Sequence, residues 1–247
     1  MDQLAIGVLT AVAGAFRGVT GFGYALAAAL GLAALGFAPS ASVPFILVND
    51  LMLTAFILMD RKHGSVDWNA ARLLLAAGIA GALCGNLIAH RLDPDIGRLM
   101  VALIVMLAAG IAMIRQPPAW LARPSLGLVI GFVVGVFLSA FAVGGPLVAA
   151  WLLAGGTQRP HIRGTLAVFF GVVDLFALAS RLLTGHSDPN LMSLLAVYCP
   201  LTLLGFAAGH LLSRRLPASV WQRVCVGGLV LVAAVGLIEA VHAFTVI

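Results

Sequence analysis

Gly14-Ala-Phe-Arg17-Gly-Val-Thr20-Gly-Phe-Gly23-Tyr-Ala-Leu26 lines up, at an offset of 121, with Gly135-Val-Phe-Leu-Ser139-Ala-Phe-Ala-Val-Gly144-Gly-Pro-Leu147. Each stretch lies inside an apolar run long enough to enter a bilayer. Glycine-dense sequence makes a poor continuous helix. In lipid, broken backbone survives only where protein or a watery cavity covers it. Two breaks at matching places in two halves point to a transporter's substrate site.

The surrounding chain supports a membrane reading. Of 247 residues, 62% are hydrophobic and 9% charged, against about 25% charged in soluble domains. Eight apolar segments run at about 4–37, 43–59, 70–90, 96–114, 125–155, 164–184, 190–213 and 219–243. They are continuous rather than alternating, which excludes a transmembrane barrel. The expected fold class is an all-α polytopic membrane protein. The first and fifth segments are too long for one crossing of a core about 30 Å thick. Each is therefore read as a broken or re-entrant helix at its Gly-rich motif.

The repeat continues beyond the glycines. At an offset of 124, Asp50-Leu51 matches Asp174-Leu175, Gly81-x-x-x-Gly85 matches Gly205-x-x-x-Gly209, and Arg91-Leu92 matches Arg215-Leu216. The expected organisation is a first membrane repeat at 1–114, a cytoplasmic linker at 115–124 and a second membrane repeat at 125–247. The linker is polar and proline-rich, as a connection should be.

Charge decides how the repeats are oriented. If all eight segments cross once, the loops on the two sides hold six and seven Lys/Arg, with no bias. If the first and fifth segments return to the side they entered, one side collects Arg61, Lys62, Arg72, Arg115, Arg123, Arg159, Arg163, Arg214, Arg215 and Arg223. The other keeps Arg91, Arg98 and Arg181. Ten against three is the asymmetry of a cytoplasmic face. Three crossings per half then make the halves two inverted repeats and put both termini in the periplasm. The chain opens Met-Asp-Gln without a positive n-region or a cleavage site, so no removable signal peptide is expected.

Helix starts at the two breaks would turn free N–H groups and positive dipole ends toward each other, a ready anion site. The candidate substrate-binding residues are Arg17, Thr20, Gly21, Gly23, Ser139, Gly144 and Gly145. Arg17 lies inside an apolar run, where an arginine is functional, paired, or snorkelling to an interface. Leu138 stands at its matching place, so the site is expected to be asymmetric. Small residues also serve close helix packing, the role assigned to the Gly81/Gly85 and Gly205/Gly209 pairs. The candidate ion-coupling residues are Asn49, Asp50 and Asp174. Their alternative is a structural pair, with Arg17–Asp50 one such pair. Asn86 and His210 read as helix-joining groups, Arg163 as a topogenic charge, and Trp151 as packing.

These motifs, with the duplicated layout, resemble the TauE/SafE family of sulfite and organosulfonate transporters along essentially the whole chain. The resemblance implies an inner-membrane carrier of small sulfur-containing anions. Only the resemblance supplies sulfur; the residues themselves indicate an anion. An anion channel would share the same site. An intramembrane hydrolase would need Ser139 and His210, yet no nucleophile elbow surrounds Ser139. No catalytic residue, cofactor or metal site is expected, because histidines are scattered and no thiolate or acidic cluster appears. The expected partners are a small anion and the lipid bilayer. The net charge of +5 reflects loop topology and not nucleic-acid binding. Oligomeric state is left open.

Overall fold

The computed structural model describes residues 3–59, 65–89, 119–157, 159–184 and 190–217, with scattered positions between and beyond them. Regular structure among the described residues is helical throughout. α1 spans Gln3–Thr20, α2 Tyr24–Ala34, α3 Pro39–Met59 and α4 Trp68–Ala89. A short 3-10 turn at Ala119–Ala122 precedes α5 at Pro124–Phe141, α6 at Gly145–Ala154, α7 at Arg159–Leu183 and α8 at Leu191–Ser213. The apolar segments expected at 96–114 and 219–243, and residues 115–118 of the linker, lie almost wholly outside the described residues.

Among the described residues six helices, α1, α3, α4, α5, α7 and α8, are long and apolar enough to cross a membrane. The chain is a multi-pass membrane protein. Its outer faces carry exposed leucine and valine such as Val12, Leu87, Val129, Leu183 and Leu204, as a lipid-facing surface requires. α2 and α6, of 11 and 10 residues, are only about 16 and 15 Å long. Tyr24, Leu26, Ala28, Leu30, Val148, Trp151 and Leu152 on these two helices are all buried.

Local chemistry explains where the long apolar runs stop being helix. α1 ends at Thr20; Gly21 follows at φ 86 and Gly23 at φ 90, the latter serving as N-cap of α2. Such left-handed backbone suits glycine, which has no Cβ to clash. α5 ends at Phe141, and Ala142 takes φ 59 there, its N–H bonding the Leu138 carbonyl at 2.8 Å. α2 then folds back along α1, with Gly23 against Phe16 and Gly31 against Leu9. α6 folds back along α5 in the same way, with Gly144 against Val134 and Trp151 against Gly127.

Apolar helices gain little from burial against one another in lipid, so close approach of backbones holds them together. Gly14 and Gly18 of α1 lie on the backbone of Thr202 and Phe206, while Gly205 and Gly209 of α8 lie on that of Ala11 and Ala15. α5 and α4 meet alike: Gly131 and Gly135 lie on Leu74 and Gly78, and Gly81 and Gly85 on Phe132 and Val136. Residue numbers rise together along both crossings, so α1 runs parallel to α8 and α4 parallel to α5. The Phe45–Tyr198 and Phe56–Phe206 ring contacts make α3 parallel to α8. The Asp67 N–H on Thr165 Oγ1 at 2.9 Å, with Gly78 against Phe169 and Val173, makes α4 parallel to α7. α3 and α7 run antiparallel, since Thr54 meets Gly171 and Asp50 meets Asp174. Thus α1, α3 and α8 point one way, and α4, α5 and α7 the other.

Candidate functional site

The middle of α7 measures the depth of everything that matters chemically. Phe170 and Gly171 lie about midway between Arg163 and Arg181. Phe170 reaches Gly145 at the start of α6; a Cβ on Gly145 would stand 3.4 Å from the Phe22 ring, 3.8 Å from the Phe170 ring and 4.0 Å from the Gly23 backbone N. Gly23 caps α2 and Gly145 opens α6. The N-termini of the two short helices therefore meet in the protein interior, bringing free N–H groups and two positive dipole ends together.

A charged cluster lies beside this meeting point. Arg17 is 1% exposed, Asp50 1% and Asp174 0%. Arg17 Nη1 stands 3.1 Å from Asp50 Oδ1, and its Nη2 donates to Thr54 Oγ1, one helical turn further along α3. Asp174 of α7 presents its carboxyl to that of Asp50 and lies within reach of the Arg17 charge. Among the described residues neither Asp174 oxygen accepts a hydrogen bond, and Arg17 Nε has no acceptor. Tyr24, the first residue of α2, is wholly buried and close enough to feel both Asp50 and Arg17.

The sequence candidates thus fall into three groups. Arg17, Asp50 and Asp174 come together. Gly23 and Gly145 also come together, and Gly144 packs on Val134. The others join neither group. The Thr20 hydroxyl reaches the Phe16 and Phe22 carbonyls at 2.8 and 2.5 Å and accepts from the Phe22 N–H at 3.3 Å. It tightens the turn after α1. Gly21 lies under the Arg163 side chain. Asn49 Nδ2 donates to the Phe45 carbonyl of its own helix at 2.9 Å, and its buried Oδ1 has no partner among the described residues. Ser139 Oγ is likewise buried and has no partner among the described residues, while the Ser139 carbonyl accepts from Arg181. Trp151 is 7% exposed, and its Nε1 donates to the Arg123 carbonyl at 3.4 Å, so it belongs to the packed interior.

Some residues were invisible to sequence reasoning. Arg181 reads as a loop charge in the sequence, yet it is 1% exposed and bonded to three carbonyls. Arg163 reads as topogenic; its Nη2 also donates to the Gly18 carbonyl at 3.1 Å. Taking both out of the loop count leaves nine against two, so the charge asymmetry survives. Thr54 could have been found from its place one turn after Asp50.

No curated protein and no solved structure matches the chain. A family model described as Sulfite exporter TauE/SafE matches residues 6–237, and the chain therefore belongs to this family of membrane transporters.

Proposed function

We propose that the protein is a secondary transporter of the inner membrane that carries small sulfur-containing anions of the sulfite or organosulfonate class by alternating access. The observation that carries this reading is the meeting of Gly23 and Gly145 at the N-termini of α2 and α6. Helix N-termini favour oxyanions, and short broken helices facing each other at mid-depth are how transporters hold anionic groups. Arg17 adds a planar fork suited to a tetrahedral or pyramidal oxyanion. The substrate site then comprises Arg17, Thr20, Gly21, Gly23, Ser139, Gly144 and Gly145. Thr20 and Gly21 shape the turn, Ser139 offers a spare hydroxyl, and Gly23, Gly144 and Gly145 keep side chains out of the anion's way.

The two halves, 1–114 and 125–247 joined through 115–124, act as inverted repeats. Support comes from direction: α1 and α5, α3 and α7, and α4 and α8 hold matching places in the sequence and run oppositely. Both hairpins return to their own side, which keeps the termini periplasmic and the linker cytoplasmic. A reporter fused at residue 119 reads cytoplasmic and one at the C-terminus periplasmic; a cytoplasmic C-terminus would overturn the topology.

Asp50 and Asp174, with Asn49 beside them, are the ion-coupling residues. Two carboxyls beside the single Arg17 cation leave one formal negative charge uncompensated, and a bound proton or cation would balance the cluster. Proton movement and anion movement are then linked through Arg17. The deciding experiment is counterflow in proteoliposomes preloaded with sulfite, taurine or another small sulfonate. Uptake of label driven by internal substrate supports a carrier, whereas leak without exchange supports a channel and rejects alternating access.

A further inference from the structure

α7 carries two arginines that the anion site does not use. Arg163 Nη2 donates to the Gly18 carbonyl at 3.1 Å, and its stem covers Gly21, where a Cβ would meet Nε, Cγ and Cδ. Arg181 Nε and Nη2 donate to the Ser139 carbonyl at 3.2 and 2.9 Å, Nη2 also approaches the Ala140 carbonyl at 3.3 Å, and Nη1 donates to the Ser40 carbonyl at 3.0 Å. Gly18 and Ser139 stand in the last turns of α1 and α5. The last carbonyls of a helix have no partner within it, and inside a bilayer no water replaces one. A guanidinium at the negative dipole end answers both needs.

Position gives the pair a further meaning. Arg163 is four residues after the start of α7 and Arg181 two before its end. The 18 helical rises from Arg163 to Arg181 span about 27 Å, nearly the thickness of a hydrocarbon core. Each arginine ties α7, of the second half, to the first half: Arg163 to Gly18 on one side of the Asp50–Asp174 contact, and Arg181 to Ser40 on the other. The Asp50–Asp174 contact joins the halves between them. Pro39 and Ile57 stand at the matching positions of α3, so both ties are supplied from one helix.

We infer that Arg163 and Arg181 are the two gates of the transport cycle, each sealing the central site from one side of the membrane. This rests on the alternating-access reading above. With Arg163 withdrawn, the turn after α1 opens toward the face where α7 begins. With Arg181 withdrawn, the last turn of α5 opens toward the opposite face. Both ties are made here, so the site is closed from both sides.

The test needs no substrate. Cys84, Cys199 and Cys225 are replaced by alanine, and Val143, wholly buried between α5 and α6, becomes the only cysteine through Val143→Cys. A membrane-impermeant maleimide is applied from either face of sealed vesicles. The parent labels slowly from both faces. Arg163→Gln speeds labelling about tenfold from the face where α7 begins, and Arg181→Gln by about tenfold or more from the other, because Arg181 gives up contacts to three carbonyls. Arg163→Lys and Arg181→Lys keep a cation and show a weaker effect on the same faces; they carry the test where a glutamine variant is not recovered in the membrane. Labelling of both variants from one face, or equal to the parent, overturns the inference. Opposite faces with inside and outside exchanged would leave the gates standing and sink the topology. Failure of sulfite or sulfonate counterflow would sink the substrate reading without touching the labelling result.

Discussion

Arg17 Nη1 lies 3.1 Å from Asp50 Oδ1, with each side chain 1% exposed, in a contact between α1 and α3. Removing one partner strands the other charge in a dry interior, which costs about 3–5 kcal/mol, while replacing both with apolar groups is nearly neutral. Arg17→Met and Asp50→Leu should each lower the unfolding temperature in detergent. The Arg17→Met/Asp50→Leu double variant should recover most of that loss and still transport nothing. Transport restored in the double variant would show that Arg17 serves structure alone.

Asp174 differs from Asp50 although the two are repeat-equivalent. Asp50 has the arginine, whereas Asp174 has two oxygens that accept no hydrogen bond among the described residues. Intramembrane acids of this kind serve ion coupling or structural pairing. Asp174→Asn keeps the shape of a protonated carboxyl and should leave the fold within about 1 kcal/mol, since it adds no unpaired charge. Transport by this variant should stop responding to an imposed pH gradient, with exchange of anion against anion retained. A gradient response equal to that of the parent would assign Asp174 to structure.

Much of this was legible in the sequence, for physical reasons. Apolar runs announce crossings because lipid tolerates little else. The Asp50/Asp174 match was visible because the duplicated segment keeps the acid in place, and the structure then brings the two together. What stayed hidden depends on three-dimensional neighbours. Arg181 lies near an apolar segment's end, where a loop charge and a helix-capping charge read alike. Thr20, a candidate for the anion, turns its hydroxyl to the backbone, while Thr54, which no motif marks, serves Arg17. Ser139 is a candidate by its place in the second glycine motif, and its carbonyl holds Arg181. Segments 96–114 and 219–243 lie almost wholly outside the described residues and add nothing to the comparison.

The glycine crossings give a prediction independent of chemistry. A Cβ on Gly205 would collide with the Ala11 carbonyl, and one on Gly135 with that of Gly78. A Cβ on Gly155 would find only ordinary contacts, the nearest 3.5 Å away. Overpacking of this kind costs about 1–3 kcal/mol. Gly205→Ala and Gly135→Ala should each lower the unfolding temperature measured by light scattering, and Gly155→Ala should not. Equal tolerance of all three would mean that α1–α8 and α4–α5 are not held by backbone contact.

Gly21 and Ala142 occupy matching places in the two halves and share the left-handed conformation, at φ 86 and 59. An L-residue there loses about 1–2 kcal/mol to the clash of its Cβ with the following carbonyl, partly offset by the smaller entropy that alanine gives up on folding. The same substitution pair should therefore act with opposite signs. Ala142→Gly should stabilise the protein by about 0.5–1 kcal/mol, because it removes strain and leaves the Ala142 N–H on Leu138. Gly21→Ala should destabilise it by more than that gain, because the new Cβ also meets the Arg163 stem. Thermal unfolding in detergent separates the two, and a destabilised Ala142→Gly would show that the turn after α5 is not strained.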